Sequence, residues 1–189
     1  MTPELATDLS NHFLLAMPGM GDPNFDGSVV FIAEHSESGA LGLVINRTME
    51  MDLGTLFERI DLRLEHKARK LEPVFYGGPV QTDRGFVLHQ PVGDWGATVS
   101  VGGEIGLTSS RDVLEAYAAG EGPSRLMVTL GYAGWGPGQL EGEIARNAWL
   151  TTQADPRVLF DTPAPGRLAR AFGLLGIDPA FLSQEAGHG

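Results

Sequence analysis

Short apolar runs, each closed by glycine or proline, follow one another along most of this chain. HFLLAM at 12–17 ends at Pro18 and Gly19, and SVVFIAEH at 28–35 is rich in β-branched residues. Such runs are typical of strands, and glycine and proline supply the φ angles that tight turns require. With 26 glycines and 12 prolines among 189 residues, the chain is poorly suited to a helical bundle and is predicted to be strand-rich.

Further strands are predicted wherever the same pattern returns. The run that follows SVVFIAEH comes after a short Ser-Glu-Ser-Gly turn, so the two runs predict a hairpin. The run at 125–131 is apolar almost throughout and predicts a central strand that is buried on both faces. The predicted strands are ALGLVIN (40–46), PVFYGGPV (73–80), GFVLHQP (85–91), ATVSVGG (97–103) and RLMVTLG (125–131).

Apolar residues three and four positions apart predict helices between these strands. Asp52 is a candidate cap for a helix that begins at Leu53, and the pattern allows this helix to continue as far as Leu71. The other helices are predicted at 109–120 (starting at Ser109), at 139–150, and at 167–176 with Leu168, Phe172 and Leu175 facing inward. Because strands come in groups with helices inserted irregularly, the predicted fold class is α+β.

A chain of this length fits one domain, 1–189, with short flexible ends at about 1–10 and 184–189. Its N-terminal apolar run, 13–17, has five residues, which is too few for a signal peptide or a membrane span. The chain contains no cysteine, which excludes disulfides and zinc–thiolate sites and favours a cytoplasmic location.

The charge balance restricts the possible partners. The formal net charge is −11, from 13 Lys and Arg against 24 Asp and Glu, which argues against direct binding to nucleic acid or to an anionic membrane. Four cations would form a stripe if the first helix were continuous, but acidic residues lie among them and predict a solvated, salt-bridged face instead. The cations are Arg59, Arg63, Lys67 and Lys70.

No metal or cofactor is expected from the motifs. The chain lacks the phosphate-loop, dinucleotide, zinc-protease and serine-hydrolase signatures. The segment Asp22-x-Asn24-x-Asp26-Gly27 copies the first half of a calcium loop, but Ala33 occupies the closing position, where glutamate is required. A polar turn before the next strand is therefore predicted.

Two histidines end predicted strands, where side chains from different strands can meet at one edge. His35 and His89, together with Asn46 and Glu141, are candidates for an acid–base site. The alternative is that both are neutral, hydrogen-bonded structural histidines.

The glycine-rich segment 131–141 allows two interpretations. Exposed backbone N–H groups at a helix start can bind an anion, with Trp135 as a wall. However, Glu141 and Glu143 lie in the first turn, where they would repel a phosphate. A structural turn with a packed Trp135 is the favoured prediction.

Taken together, several segments resemble the AlgH/YqgE family of bacterial proteins. They are HFLLAMPGMGDPNFDGSVVFIAEH (12–35), GALGLVINR (39–47), YGGPVQTDRGFVLH (76–89), LTSSRDVLEA (107–116), GYAGWGPGQLEGEIARNAWL (131–150) and a closing GHG. The resemblance implies a compact α+β fold with a mixed, barrel-like sheet surrounded by helices, and a short helix near 53. Leu168 stands where the family usually has Trp. The recurring positions imply candidate ligand or interaction residues at Asn46, Gly77, Gly78, Arg84, His89, Trp135 and Glu141, to which the histidine analysis adds His35.

These observations favour a non-enzymatic protein that acts through contacts with another protein. One branch of the family is labelled a transcriptional regulator, and the acidic charge makes direct DNA binding the less favoured route. The alternative is a small-molecule binder or hydrolase that uses His35, Asn46, His89, Trp135 and Glu141. The sequence leaves the identity of the partner and the oligomeric state open.

Overall fold

The computed structural model describes residues 8–19, 21–178 and 180. Its strands are β1 His12–Ala16, β2 Val29–Ser36, β3 Gly39–Val44, β4 Thr48–Asp52, β5 Pro73–Tyr76, β6 Val80–Gln90, β7 Thr98–Val101, β8 Ile105–Thr108, β9 Arg125–Trp135 and β10 Trp149–Gln153. Its helices are α1 Leu53–Arg59, α2 Asp112–Ala118, α3 Gln139–Ala145, α4 Pro156–Phe160 and α5 Arg167–Leu174. Short 3-10 helices span Lys67–Leu71 and Ala164–Gly166. The predicted end segment 184–189 and the closing GHG lie outside the described residues, as does most of 1–10.

The strands form one curled sheet that resembles half of a barrel. Its order is β10-β1-β2-β3-β9-β6-β8-β7, and β4 joins through β5, which pairs with β9. The predicted hairpin of β2 and β3 is confirmed, with Val30 opposite Val44. The β5–β9 pair is parallel, and the other described pairs are antiparallel. The α+β class and the mixed, barrel-like sheet are therefore confirmed.

Side-chain alternation along the strands sends apolar residues to both faces of the sheet. On β1, Phe13 and Leu15 belong to the cluster inside the curl, whereas Leu14 and Ala16 belong to a cluster outside it. Helices α4 and α5 close the inside cluster through Val158, Leu159, Ala171 and Phe172. Helix α3 covers the outside of β1–β3, and α1 and α2 cover the outside of β5, β6 and β9. Both faces of β9 carry buried residues, as predicted.

The first helix begins where the sequence predicts it. The Asp52 side chain accepts a hydrogen bond from the backbone N–H of Thr55 at 2.9 Å, which confirms the cap. The helix ends at Arg59, and Asp61 has a φ of 60°, so the chain turns away. The short helix near 53 that the resemblance implies is confirmed, and the possible continuation to Leu71 does not occur. The four cations of the basic stripe therefore do not share one helix face.

Three other element predictions are corrected. The helix at 139 ends at Ala145, and the residues from Trp149 form β10, which pairs with β1. Helix α2 begins at Asp112 rather than at Ser109. On α5 the predicted inward residue Leu175 is 37% exposed, while Arg167, a charged residue, is only 6% exposed. Periodicity failed at β10 because WLTTQ has too few residues to distinguish a strand from a helix end.

A close backbone crossing between the 77–78 turn and β9 generates a stability prediction. A Cβ atom at Gly78 would lie 2.2 Å from the carbonyl carbon of Tyr132, at a φ of 154°. Since backbone atoms cannot yield as a side chain would, we expect Gly78→Ala to lower the free energy of unfolding by about 2 kcal/mol or more. Urea denaturation measures this change.

Gly173 of α5 provides the matched control. A Cβ atom at Gly173 meets nothing within 4 Å, so Gly173→Ala should leave stability unchanged or raise it by about 0.5 kcal/mol through helix propensity. Equal loss in the two variants would contradict the account of the crossing.

Candidate functional site

Residues 81–84, within the segment 76–89 that resembles the family, form a four-residue bulge in β6. Val80 pairs with Tyr132 and Gly85 with Leu130, so residues 81–84 lie opposite Gly131 alone. All four residues of this 81–84 bulge are exposed, and Gln81 has a φ of 45°. Bulges of this kind direct side chains away from the sheet and are frequent beside functional sites.

The turn at Gly77 and Gly78 lies at the base of the bulge and fixes its position. Gly77 accepts a hydrogen bond from Val44 N–H and donates one to the Leu130 carbonyl, each 2.8 Å long. A Cβ atom at Gly77 would lie 2.3 Å from the Gly131 carbonyl oxygen, and one at Gly131 would lie 2.3 Å from that of Gly78. The predicted candidates Gly77 and Gly78 are therefore structural: because they have no side chain, three backbone segments can cross in direct contact.

Arg84 presents a positive charge from this bulge. Its side chain is exposed, and its guanidinium carbon lies 5.0 Å from the centroid of the Phe86 ring. Within the part of the chain that the structure describes, Arg84 forms no salt bridge. The aromatic ring orients the guanidinium while its N–H donors remain available to a partner.

A groove of about 250 Å³ lies beside the bulge, on the face of β6 opposite Arg84. Asp83, Gly85 and Val87 alternate along this face, and α1 and α2 form the other walls. The remaining lining residues are mainly apolar, with a polar edge at 108–111: Leu56, Ile60, Thr108, Ser109, Ser110, Arg111, Leu114, Val128 and Leu130. Such a groove can bind an apolar side chain of another segment, while the residues next to that side chain contact Asp83.

His35 and Glu141 meet elsewhere, between β2 and α3. The Nε2 atom of His35 lies 3.0 Å from Glu141 Oε2, and its Nδ1 accepts the backbone N–H of Leu9 at 3.0 Å. Because Nδ1 is an acceptor, Nε2 carries the proton and donates a hydrogen bond to Glu141. A hydrogen bond from its own backbone N–H, and then that from His35, hold the pKa of Glu141 below its usual range. Both ring nitrogens of His35 form hydrogen bonds, so the His35–Glu141 pair holds β2, α3 and the segment at Leu9 together.

Trp135 is packed, as predicted. The indole N–H groups of Trp135 and Trp149 both donate to Glu143 Oε1, at 3.0 Å each. Phe25 stacks on Trp135 with 5.9 Å between ring centroids. Glu143, predicted to complement the helix dipole and to repel a phosphate, is therefore also the shared acceptor beneath an aromatic cluster.

Asn46 secures the calcium-like turn together with its neighbour. Its Oδ1 accepts the N–H of Val29 at 2.9 Å, and its Nδ2 donates to the carbonyl of Gly27 at 3.0 Å. The guanidinium of Arg47 donates to the carbonyl oxygens of Asn24 and Asp26. The prediction of a polar turn is confirmed, with an arginine bound to the carbonyls. Among the described residues no group of three or more His, Asp or Glu is arranged to hold a metal ion.

His89 is an internal residue, with no measurable exposure. Its Nδ1–H donates to the Pro91 carbonyl at 2.9 Å, and its Nε2 accepts from the Thr108 hydroxyl at 2.7 Å. The ring packs against Gly106, where a Cβ atom would lie 2.2 Å from a ring carbon. Burial lowers the pKa of His89, so the imidazole is neutral at physiological pH.

The structure does not bring the two histidines together. His35 pairs with Ala40, which pairs with Trp135 at the end of β9, whereas His89 pairs with Leu126 near its start. Nine residues of strand separate Trp135 from Leu126, which is roughly 30 Å. An acid–base site that contains both His35 and His89 is therefore excluded by distance.

The fold and these contacts define a class of protein: a curled mixed sheet that is covered by helices on both faces and has an exposed, glycine-anchored bulge. The AlgH-like family model matches residues 13–180, so the chain belongs to the AlgH-like family. A UPF0301 protein of Ralstonia nicotianae is 58% identical over 187 residues, 99% of this chain and 98% of the relative. A UPF0301 protein of Burkholderia cenocepacia is 58% identical over 183 residues, 96% of this chain and 95% of the relative.

Two solved structures are similar to this one. The solution structure of the AlgH protein from Pseudomonas aeruginosa has a TM-score of 0.80 and 46% identity, with 94% of each chain covered. The crystal structure of a Corynebacterium diphtheriae protein has a TM-score of 0.68 and 22% identity, with 86% of each chain covered, which shows the fold alone. These relatives belong to a family of uncharacterised proteins. Among the described residues, no helix is both long enough and apolar enough to span a membrane.

The shared acceptor Glu143 generates a prediction. Glu143→Ala leaves the buried indole N–H groups of Trp135 and Trp149 without their acceptor, which should lower the free energy of unfolding by about 2–4 kcal/mol. Urea denaturation followed by tryptophan fluorescence measures the loss. Glu115→Ala, which removes an exposed carboxylate paired with the equally exposed Arg111, should cost less than about 1 kcal/mol. A larger loss in Glu115→Ala than in Glu143→Ala would refute this assignment.

The buried imidazole of His89 generates a pH dependence. Its pKa is lower in the folded protein than in the unfolded chain, so the unfolded state binds more protons as pH falls below about 6.5. Stability from this group is therefore complete above pH 6.5 and is lost as pH falls toward the folded pKa. We expect His89→Asn to reduce the slope of unfolding free energy against pH between about 6.5 and 5. A slope unchanged in His89→Asn would refute the prediction.

Proposed function

We propose that this protein is a non-enzymatic, cytoplasmic regulatory protein that acts by binding another protein rather than DNA. The 81–84 bulge and the groove beside it are the proposed contact surface. The observation that carries this proposal is the exposure of these four consecutive residues on a rigid, glycine-anchored base. Other predicted candidates, namely His35, Asn46, His89, Trp135 and Glu141, are engaged in hydrogen bonds within the protein.

The chemistry of the surface suggests the partner segment. The groove offers apolar walls to one side chain, and its lining carries one acid, Asp83, and one base, Arg111, whose Nε donates to Glu115 at 3.2 Å. Asp83 forms no salt bridge among the described residues and adds to the acidic field of a chain with net charge −11. A segment with an apolar anchor and a neighbouring basic group is complementary to both features. The same acidic field disfavours DNA, because phosphate binding requires a concentration of basic residues.

Retention of a partner by immobilised protein tests the proposal. Wild-type protein should retain one stoichiometric protein from an extract of its own cells, at a salt concentration that suppresses weak electrostatic contacts. Asp83→Arg reverses the charge at the groove, and Gly85→Leu fills it, since a Cβ atom there meets only ordinary contacts at 3.8 Å and beyond. Each variant should reduce retention about tenfold, as loss of an interface anchor does.

Glu104→Arg is the matched control. It changes the net charge by the same amount as Asp83→Arg, but Glu104 lies in the turn between β7 and β8, outside the groove. Its retention should equal that of the wild type. Recovery of chaperones alone, equal retention in all variants, or a discrete complex with DNA at low salt would each refute the proposal.

A further inference from the structure

Arg167 is a buried cation at the start of α5. Its guanidinium Nε donates to the Thr162 carbonyl at 2.8 Å, and its Nη1 donates to the carbonyl of Ile45 and to Met127 Sδ, the latter at 3.3 Å. Its guanidinium carbon lies 4.7 Å from the centroid of the Phe75 ring. The side chain is thus fixed between the residue after β3, the strands β5 and β9, and the segment between α4 and the 3-10 turn.

Arg167 has no carboxylate partner within the described residues. Burial lowers its pKa to about 10, which still leaves it charged at neutral pH. Buried charges are normally paired, because removal from water is costly unless an opposite charge compensates. The neutral carbonyls and the aromatic ring supply part of this compensation, and an anion would supply the rest.

Two N–H donors of Arg167 are open. Arginine has five, of which one on Nε and two on Nη1 have acceptors. Nη2 has no acceptor in the described part of the chain, yet every fully buried side-chain nitrogen there has one. Nη2 therefore retains accessible surface, and Arg167 lines a cavity.

This cavity has a volume of about 460 Å³, within the range of small-molecule sites. It opens between β5, β9 and the segment from α4 to α5. Most of its walls are apolar, and they include Phe75, Leu159, Phe160 and Ala164.

The charges around the cavity restrict the anion that it can hold. Its lining contains two acids, Glu72 and Asp161, besides Arg167. Asp161 is paired with Arg125 at 3.0 Å, and Glu72 lies 3.7 Å from Arg69. Burial raises the pKa of Glu72. With both acids paired, one uncompensated positive charge remains, which suits a single negative charge better than a dianionic phosphate.

We propose that this cavity binds a small monocarboxylate with an apolar body, whose carboxylate accepts hydrogen bonds from Arg167 Nη2. The apolar body lies against Phe75, Leu159 and Phe160. The cavity and the groove beside the 81–84 bulge share Val128 alone among their lining residues, and Arg167 lines only the cavity, so either proposal can fail alone.

Calorimetric titration with octanoate, octanol and octyl phosphate tests the charge of the ligand. We expect octanoate to bind saturably, and octanol and octyl phosphate to bind about tenfold more weakly or not at all, since charge-assisted hydrogen bonds are roughly twice as strong as neutral ones. Equal binding of octanol and octanoate, tighter binding of octyl phosphate, or no binding of octanoate would overturn the proposal.

The position of the ligand is read from the wild-type protein by nuclear magnetic resonance, which avoids variants that fail to fold. Octanoate should shift the Nε–H signal of Arg167, whereas octanol should not. A shift confined to other arginines would overturn the assignment.

Two tryptophan substitutions complete the test. Ala164→Trp fills the cavity without removing a hydrogen bond of Arg167 and should weaken octanoate binding at least about tenfold. Ala169→Trp, on the exposed side of α5 and outside the cavity, should bind octanoate as the wild type does. Loss of binding in both variants or in neither would contradict the proposed location.

Discussion

The arrangement of the molecule depends on β9, which is hydrogen-bonded along its length to three other strands. β3 pairs near its C-terminal end, β5 joins in parallel at its centre, and β6 pairs along most of its length. Such a strand must be apolar on both faces, because helices and the inner core cover it on both sides. The positions of His35, His89 and the 81–84 bulge are set by the strands that pair along β9.

The glycine crossing at 77–78 and 131 shows how this constraint creates a surface. Three backbone segments approach so closely that no side chain fits between them, and beside this crossing four residues of β6 bulge out of register with β9. Arg84 is exposed as one of these four residues. A close backbone crossing and an exposed bulge thus lie at the same point of β9.

The structure also separates residues that look alike in the sequence. His35 and His89 both end strands, but one clamps α3 through Glu141 and the other is a neutral, buried imidazole bonded to Thr108. Arginines differ in the same way: Arg47 binds the carbonyls of a turn, Arg84 is exposed, and Arg167 is buried beside a cavity. Their roles follow from the groups that surround them, since burial and hydrogen-bond partners decide the charge state and the donors left free.

The sequence by itself determined the α+β class, the β2–β3 hairpin, the Asp52 cap, the buried character of β9 and the polar turn at 22–27. These features depend on local chemistry, because the spacing of apolar residues, the turn residues and the helix caps each involve residues only a few positions apart. It did not determine β10, the end of α1 at Arg59, the separation of His35 from His89, or the burial of Arg167. Those outcomes depend on which strands pair and which side chains meet across more than a hundred residues, as Arg167 meets the Ile45 carbonyl. Only the tertiary structure, which brings such distant groups into contact, could decide them.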